Sequence, residues 1–157
     1  METFYRTMLA YIRQFPLLEK TILLITKFFP LITFMIYPCV CLYLLWSGNP
    51  LLIETIWKPL AAFSVVTLFR KIVNRPRPYD AMNIQPLIGH KHGESFPSRH
   101  TVSAFIIALV CLPVNLYLGV FALIVASMMS LCRILAGVHY ISDVLVSVII
   151  ALLFYFI

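Results

Sequence analysis

Apolar residues in this chain come in long runs separated by short polar breaks. The runs cover residues 21–46, 51–73, 98–112, 116–135 and 142–157. A helix needs about 20 residues to cross a bilayer, and most of the runs approach or exceed that length. The breaks carry turn chemistry: Ser47-Gly48-Asn49-Pro50 and Pro113-Val114-Asn115. Pro30 and Pro38 fall inside the first run, so a kink is expected there. Residues 1–20 read differently. Phe4, Met8, Tyr11, Ile12 and Phe15 recur at helical spacing among Arg6, Arg13, Glu19 and Lys20. That stretch is too polar for a span and has no signal-peptide pattern, so a surface-lying amphipathic helix is expected. The pattern predicts an all-α, polytopic membrane helical bundle of one domain, residues 1–157. It has five transmembrane helices in 21–157 and an N-terminal interfacial helix over 1–20.

Composition agrees with the pattern. The chain is 62% hydrophobic and 11% charged, against about 45–50% and about 25% in soluble domains. A soluble fold of this size cannot hide so much apolar surface. This excludes a cytosolic domain, a disordered chain and a nucleic-acid-binding module. The net charge of +6 therefore reports topology, lipid contact or an anionic substrate. Cys39, Cys41, Cys111 and Cys132 lie in apolar runs without metal or redox spacing and read as small buried hydrophobes.

If the chain crosses five times, the polar stretch 74–97 and the 136–141 connection share one membrane face. Arg70 and Lys71 end the second run there. Ser98, Arg99 and His100 begin the third, Arg133 ends the fourth, and His139 and Asp143 flank the start of the fifth. Alone, each has a bland reading: a snorkelling arginine, a structural histidine, a capping aspartate. Their convergence on one face marks a functional site, because charged groups at membrane depth are costly.

Several arginines with few carboxylates form a phosphate-binding composition, since guanidinium binds phosphate oxygens in pairs and stays charged. A helix opening at Ser98-Arg99-His100 favours an anion at its N-terminus. His139 and Asp143 are spaced so that a carboxylate can hold one imidazole N–H. The other ring nitrogen then serves as nucleophile or base. His100 supplies a second group that titrates near neutrality. Acidic residues are too few and scattered for a magnesium or calcium cage, and His90 and His92 lack a matched pair for zinc. Neither a metal nor another cofactor is expected.

Three blocks carry a family resemblance: Arg70-x6-Arg77-Pro78, then Pro97-Ser98-Arg99-His100, then Cys132-Arg133-x3-Gly137-x-His139-x3-Asp143. They resemble the signature of the type 2 phosphatidic acid phosphatase superfamily: Lys-x6-Arg-Pro, Pro-Ser-Gly-His and Ser-Arg-x5-His-x3-Asp. The resemblance implies that His139 is a nucleophile forming a phosphohistidine and that Asp143 orients it. It implies that His100 protonates the leaving oxygen and later activates water. Arg70, Arg77, Ser98 and Arg133, with backbone N–H groups near Arg99, would hold the phosphoryl oxygens without a metal. The family has six spans, and alignment of the blocks puts the missing one at the N-terminus.

The sequence departs from the pattern at Arg70 (lysine in the family), Arg99 (glycine) and Cys132 (serine). Arg99 adds a cation that could reach a second phosphate. The leading expectation is a membrane phosphatase acting on a lipid phosphate or diphosphate. Undecaprenyl diphosphate is preferred over phosphatidylglycerol phosphate and phosphatidic acid. A phosphotransferase and a non-catalytic lipid-binding protein on the same fold are the alternatives. The expected location is a bacterial plasma membrane. Of the 12 Lys and Arg residues, all but Lys58 fall on the site face. The positive-inside rule turns that face to the cytoplasm, whereas bacterial phosphatases resembling this chain mostly face outward.

Overall fold

A computed structural model describes residues 1–82, 84–89 and 92–157; Asn83, His90 and Lys91 lie outside the described set. The described residues form seven helices: α1 (Glu2–Gln14), α2 (Pro16–Trp46), α3 (Leu51–Val73), α4 (Pro78–Met82), α5 (Arg99–Cys111), α6 (Leu116–Leu135) and α7 (Ile141–Phe156). α5 is the central helix, packed against α2, α3, α6 and α7. Ala62 and Val66 of α3 meet Val102, Ile106 and Val110 of α5 and Ala151 of α7 in the largest core cluster. Val40 and Leu44 of α2 close on Ile107 and Cys111 from the other side. The small residues Ala62, Ala104, Ala126 and Ala151 stand at these contacts, all at most 2% exposed, so helix axes can approach closely. The outer surface is apolar: Phe34, Trp46, Leu60, Ile72 and Leu153 all point outward. A bundle with apolar residues both inside and outside has lipid as its solvent.

Three helices are long and apolar enough to cross a membrane by length and composition: α2, α6, and the stretch Leu51–Met82 that contains α3. α5 and α7 are shorter, at 13 and 16 residues. At 1.5 Å per residue α5 spans only about 20 Å, against about 30 Å of hydrocarbon. Its N-terminus opens on the polar cluster formed by Arg70, Ser98 and Asp143.

Residues 1–20 are not one helix. Phe15 is extended (φ −118°, ψ 91°) and Pro16 starts α2. A residue before proline is pushed out of the helical region, and proline is well suited to a first helical position. Residues 16–20 therefore belong to the long α2. α1 has apolar residues on two faces. Tyr5, Leu9 and Ile12 are buried, while Phe4, Tyr11 and Phe15 are exposed. The buried set packs on Ile84, Ala136, Val138 and Tyr140, so α1 lies across the loop that joins α6 to α7. Cys39 is exposed on the outer surface, against the expectation of burial, while Cys111 and Cys132 are buried.

At the far end Lys58 is 8% exposed, donates to the carbonyl of Tyr155 at 2.8 Å and pairs with Glu54 at 2.8 Å. It ties the C-terminus of α7 to α3 and satisfies a carbonyl that the helix end would leave open.

Candidate active site

The polar stretch 74–97 folds over the ends of α3, α5 and α7. Asn74 ends α3 in the left-handed region (φ 38°), and its side-chain oxygen accepts from the Glu94 amide at 3.2 Å. The Ser95 amide donates to the Arg75 carbonyl at 2.9 Å, which draws the two arms of the stretch together. Asp80 braces it from inside, accepting from the Arg77 and Gly93 amides at 3.3 and 3.0 Å and pairing with His92.

The α6–α7 connection turns at Gly137 (φ 75°), a conformation that a β-carbon penalises. An added Cβ there would also lie 3.3 Å from Leu9. This turn sends His139 back toward the bundle, where it is 1% exposed. Its carbonyl accepts from the Tyr5 hydroxyl of α1 at 3.0 Å. Its Nδ1 lies 3.5 Å from Asp143 Oδ2. That separation is an approach rather than a closed hydrogen bond. Asp143 is 0% exposed in the first turn of α7. Its Oδ2 accepts from the Tyr140 amide at 3.0 Å and from the Ser95 hydroxyl. Its Oδ1 accepts from Arg75 at 2.9 Å.

Three guanidiniums are buried beside this pair: Arg70, Arg77 and Arg133, at 4%, 5% and 3% exposure. Arg77 is held by the carbonyls of Gly93 at 3.0 Å and Val138 at 3.3 Å. Arg70 donates to the Pro97 carbonyl at 3.1 Å and approaches Glu94 at 3.6 Å. Arg70 Nε, Arg133 Nε and Arg133 Nη1 make no hydrogen bond. The three side chains lie close enough to repel one another. Buried like charges with unmade N–H bonds are unfavourable unless a multiply charged anion joins them.

Ser98 begins α5 at 0% exposure; its amide donates to the Ser147 hydroxyl at 2.8 Å, and its hydroxyl accepts from Thr101 at 3.1 Å. Arg99 and His100 occupy the first turn of α5 and line a groove of about 360 Å³ with Pro30, Phe34, Phe63 and Met129. The Arg99 guanidinium lies 5.9 Å from the Phe63 ring centroid.

The structure thus gathers Arg70, Arg77, Arg133, His139 and Asp143 into one buried cluster. It sets Ser98 at that cluster's edge, with Arg99 and His100 in the lining of an apolar groove. His90 lies outside the described residues. Among the described residues, no three His, Cys, Asp or Glu side chains are grouped to hold a metal. Residue patterns did not single out Arg75, Ser95, Ser147 or Tyr5. Ser147 carried a faint signal, four positions after Asp143 as Asp143 is four after His139.

Burial pushes His139 down to about 4, with Arg77 and Arg133 adding to the effect and Asp143 opposing it. The imidazole is therefore neutral at pH 7, with a lone pair available. The same shift makes a stability prediction. The unfolded chain takes up this proton near pH 6.5, and the folded one does so only near 4. The contribution is intact above pH 6.5 and is lost as pH falls toward 4. The melting temperature should drop across that window, and it should drop less in His139→Gln. Equal drops in the two proteins would contradict the assignment.

A sequence model of the PAP2 superfamily matches residues 52–157, which include all three signature blocks. Over 94 residues the chain is 33% identical to undecaprenyl-diphosphatase BcrC of Bacillus subtilis, covering 60% of this chain and 49% of that protein. Over 111 residues it is 32% identical to a lipid A 1-phosphatase of Rhizobium johnstonii, covering 66% of this chain and 43% of that protein. The chain thus spans about half the length of these curated relatives. Aquifex aeolicus LpxE matches in structure with a TM-score of 0.77 at 23% identity, covering 98% of this chain and 91% of that one. That likeness is one of fold.

Proposed function

Since the chain belongs to the PAP2 superfamily, we propose that it is a membrane phosphatase that removes a phosphate from a lipid phosphate or diphosphate through a phosphohistidine at His139. The observation that carries this reading is the trio of buried guanidiniums, two of them (Arg70 and Arg133) with unmade N–H bonds, beside a buried imidazole. Such a cradle suits a phosphoryl group, whose transfer needs positioning and charge neutralisation more than covalent assistance.

In the proposed reaction, His139 Nδ1–H faces Asp143 and the Nε2 lone pair attacks phosphorus. The N–P bond forms as the bond from phosphorus to the leaving oxygen breaks, and His100 gives that oxygen its proton. Water then attacks phosphorus and passes a proton to His100. The P–N bond breaks and inorganic phosphate leaves. Arg70, Arg77 and Arg133 hold the phosphoryl oxygens in both steps, with Ser98 at the start of α5. The groove beside Arg99 and His100 takes the lipid chain, and its apolar lining suits one.

Undecaprenyl diphosphate is the preferred substrate. Arg99 is the charged residue in the groove lining, and it would meet the second phosphate of a diphosphate there. The name of the Bacillus subtilis relative supports the same class. A hydrogen bond to a charged group contributes about 1.5–3 kcal/mol. Arg99→Gly should therefore lower kcat/KM for the diphosphate by roughly 10- to 100-fold and leave a lipid monophosphate nearly unaffected. An unchanged ratio between the two would remove the argument for a diphosphate. The function itself is tested by phosphate release in EDTA from undecaprenyl diphosphate, phosphatidylglycerol phosphate and phosphatidic acid. Release is expected from at least one, fastest from the first. A folded protein that releases none overturns the reading.

A further inference from the structure

Arg75 has no part in the reaction described above, yet it makes the closest charged contact to Asp143. Its Nη1 lies 2.9 Å from Asp143 Oδ1 and 2.9 Å from the Ser142 hydroxyl, and donates to both. Its guanidinium carbon stands 4.0 Å from the centroid of the Tyr140 ring. The side chain is 34% exposed, whereas Asp143 is 0% exposed. Arg70, Arg77 and Arg133 lie deeper and face one another; Arg75 approaches the carboxylate from outside.

The carboxylate is held on several sides. Arg75 and Arg77 face it from the stretch after α3, Ser95 from the stretch before α5, His139 and Tyr140 from the α6–α7 connection, and Tyr5 from α1. Oδ2 already accepts from Ser95 and Tyr140 while facing His139. Arg75 is the donor on Oδ1. Rotation about the Cβ–Cγ bond moves both oxygens, so the Arg75 bond adds a charge-assisted restraint on Oδ1 to the two neutral donors that already hold Oδ2.

We propose that Arg75 is a positioning residue for the nucleophile, acting through Asp143. Its bond to Oδ1 holds the carboxylate in the plane that keeps Oδ2 on His139 Nδ1, and its charge keeps the proton of His139 on the imidazole. It takes no part in binding the phosphoryl group. The inference rests on the phosphohistidine reading of His139.

Arg75→Gln should lower kcat by about 10- to 100-fold, the scale on which small misplacements of reacting groups act, with KM changed less than about threefold. Arg75→Lys should recover part of the loss, because it restores a charged donor without the planar fork. The partly exposed position gives a sharper test. In Arg75→Gly, millimolar methylguanidinium should restore turnover, whereas the same compound should not restore Arg133→Gly, whose site is closed to solvent. Orthovanadate, used as a phosphate mimic, should raise the melting temperature of Arg75→Gln as much as that of the wild type. A rise in KM with kcat unchanged, or a lost response to vanadate, would place Arg75 in the phosphate cradle and overturn the proposal. So would wild-type turnover in Arg75→Gln. If the wild-type protein itself releases no phosphate, the functional reading falls first, and the vanadate response still decides whether Arg75 touches the anion.

Discussion

His139→Ala should lower phosphate release by on the order of 10⁴-fold or more, the scale seen when a covalent nucleophile is removed. The fold should survive. The α6–α7 connection is held by the backbone at Gly137 and Val138 and by the Tyr5 bond to the carbonyl of residue 139, none of which uses the imidazole. Asp143→Asn should cost less in rate and more in stability. Its carboxylate accepts from Arg75, Ser95 and the Tyr140 amide, so an amide in its place puts a donor where an acceptor is needed. The measurement is release from the best lipid in EDTA, read beside thermal melting of each variant. Retention of more than about a hundredth of wild-type activity in His139→Ala would show that another group attacks phosphorus.

The second large effect has opposite signs in stability and activity. Arg133 is 3% exposed, lies near Arg70 and Arg77, and leaves Nε and Nη1 without partners. Methionine has a similar length and no charge to desolvate. In phosphate-free buffer Arg133→Met should stabilise the protein by about 1–4 kcal/mol, as replacements of buried charge by well-packed apolar side chains do. On the proposed reaction the same change removes donors to the phosphoryl oxygens and should lower kcat by about 10²- to 10³-fold. It should also abolish the stabilisation that orthovanadate gives the wild type. Melting curves with and without vanadate, beside turnover, check all three. A variant that melts lower without anion would mean that Arg133 supports the bundle rather than the substrate.

Much of this architecture was legible in the sequence, and the reasons differ by element. α3 and α6 begin and end where the apolar runs do, because a turn or a charged cluster bounds each run sharply. α2 starts earlier than its apolar run, since its first turn carries Glu19 and Lys20 and only Pro16 marks the true start. α1 carries apolar residues on two faces: Tyr5, Leu9 and Ile12 meet the α6–α7 connection while Phe4, Tyr11 and Phe15 are exposed, and periodicity alone does not separate the two sets. α4 has five residues, too few for any periodicity to show.

The site follows the same logic. His139, Asp143, Arg70 and Arg133 stood out as charged or titratable groups at helix ends against an apolar background, Ser98 as the residue that opens α5, and Arg77 through the block resemblance alone. Arg75 did not stand out, because its side-chain direction depends on how the 74–97 stretch folds over α7. Ser95 is a hydroxyl with nothing in its spacing to mark it as a carboxylate partner, and the four-residue step from Asp143 to Ser147 is too common in helices to single Ser147 out. Tyr5 touches His139 across 134 residues of chain, a contact that no local pattern encodes.

The central claim is a covalent bond between His139 and phosphorus. Purified protein in detergent and EDTA would be mixed with undecaprenyl diphosphate labelled in its terminal phosphate. The reaction would be quenched in alkali, where phosphohistidine survives, and the label would be located by peptide mass spectrometry. The account predicts label on the peptide carrying His139, turning over with phosphate release and absent from His139→Ala. Rapid release of labelled phosphate with no labelled His139 at any quench time, or release that persists in His139→Ala, would contradict it.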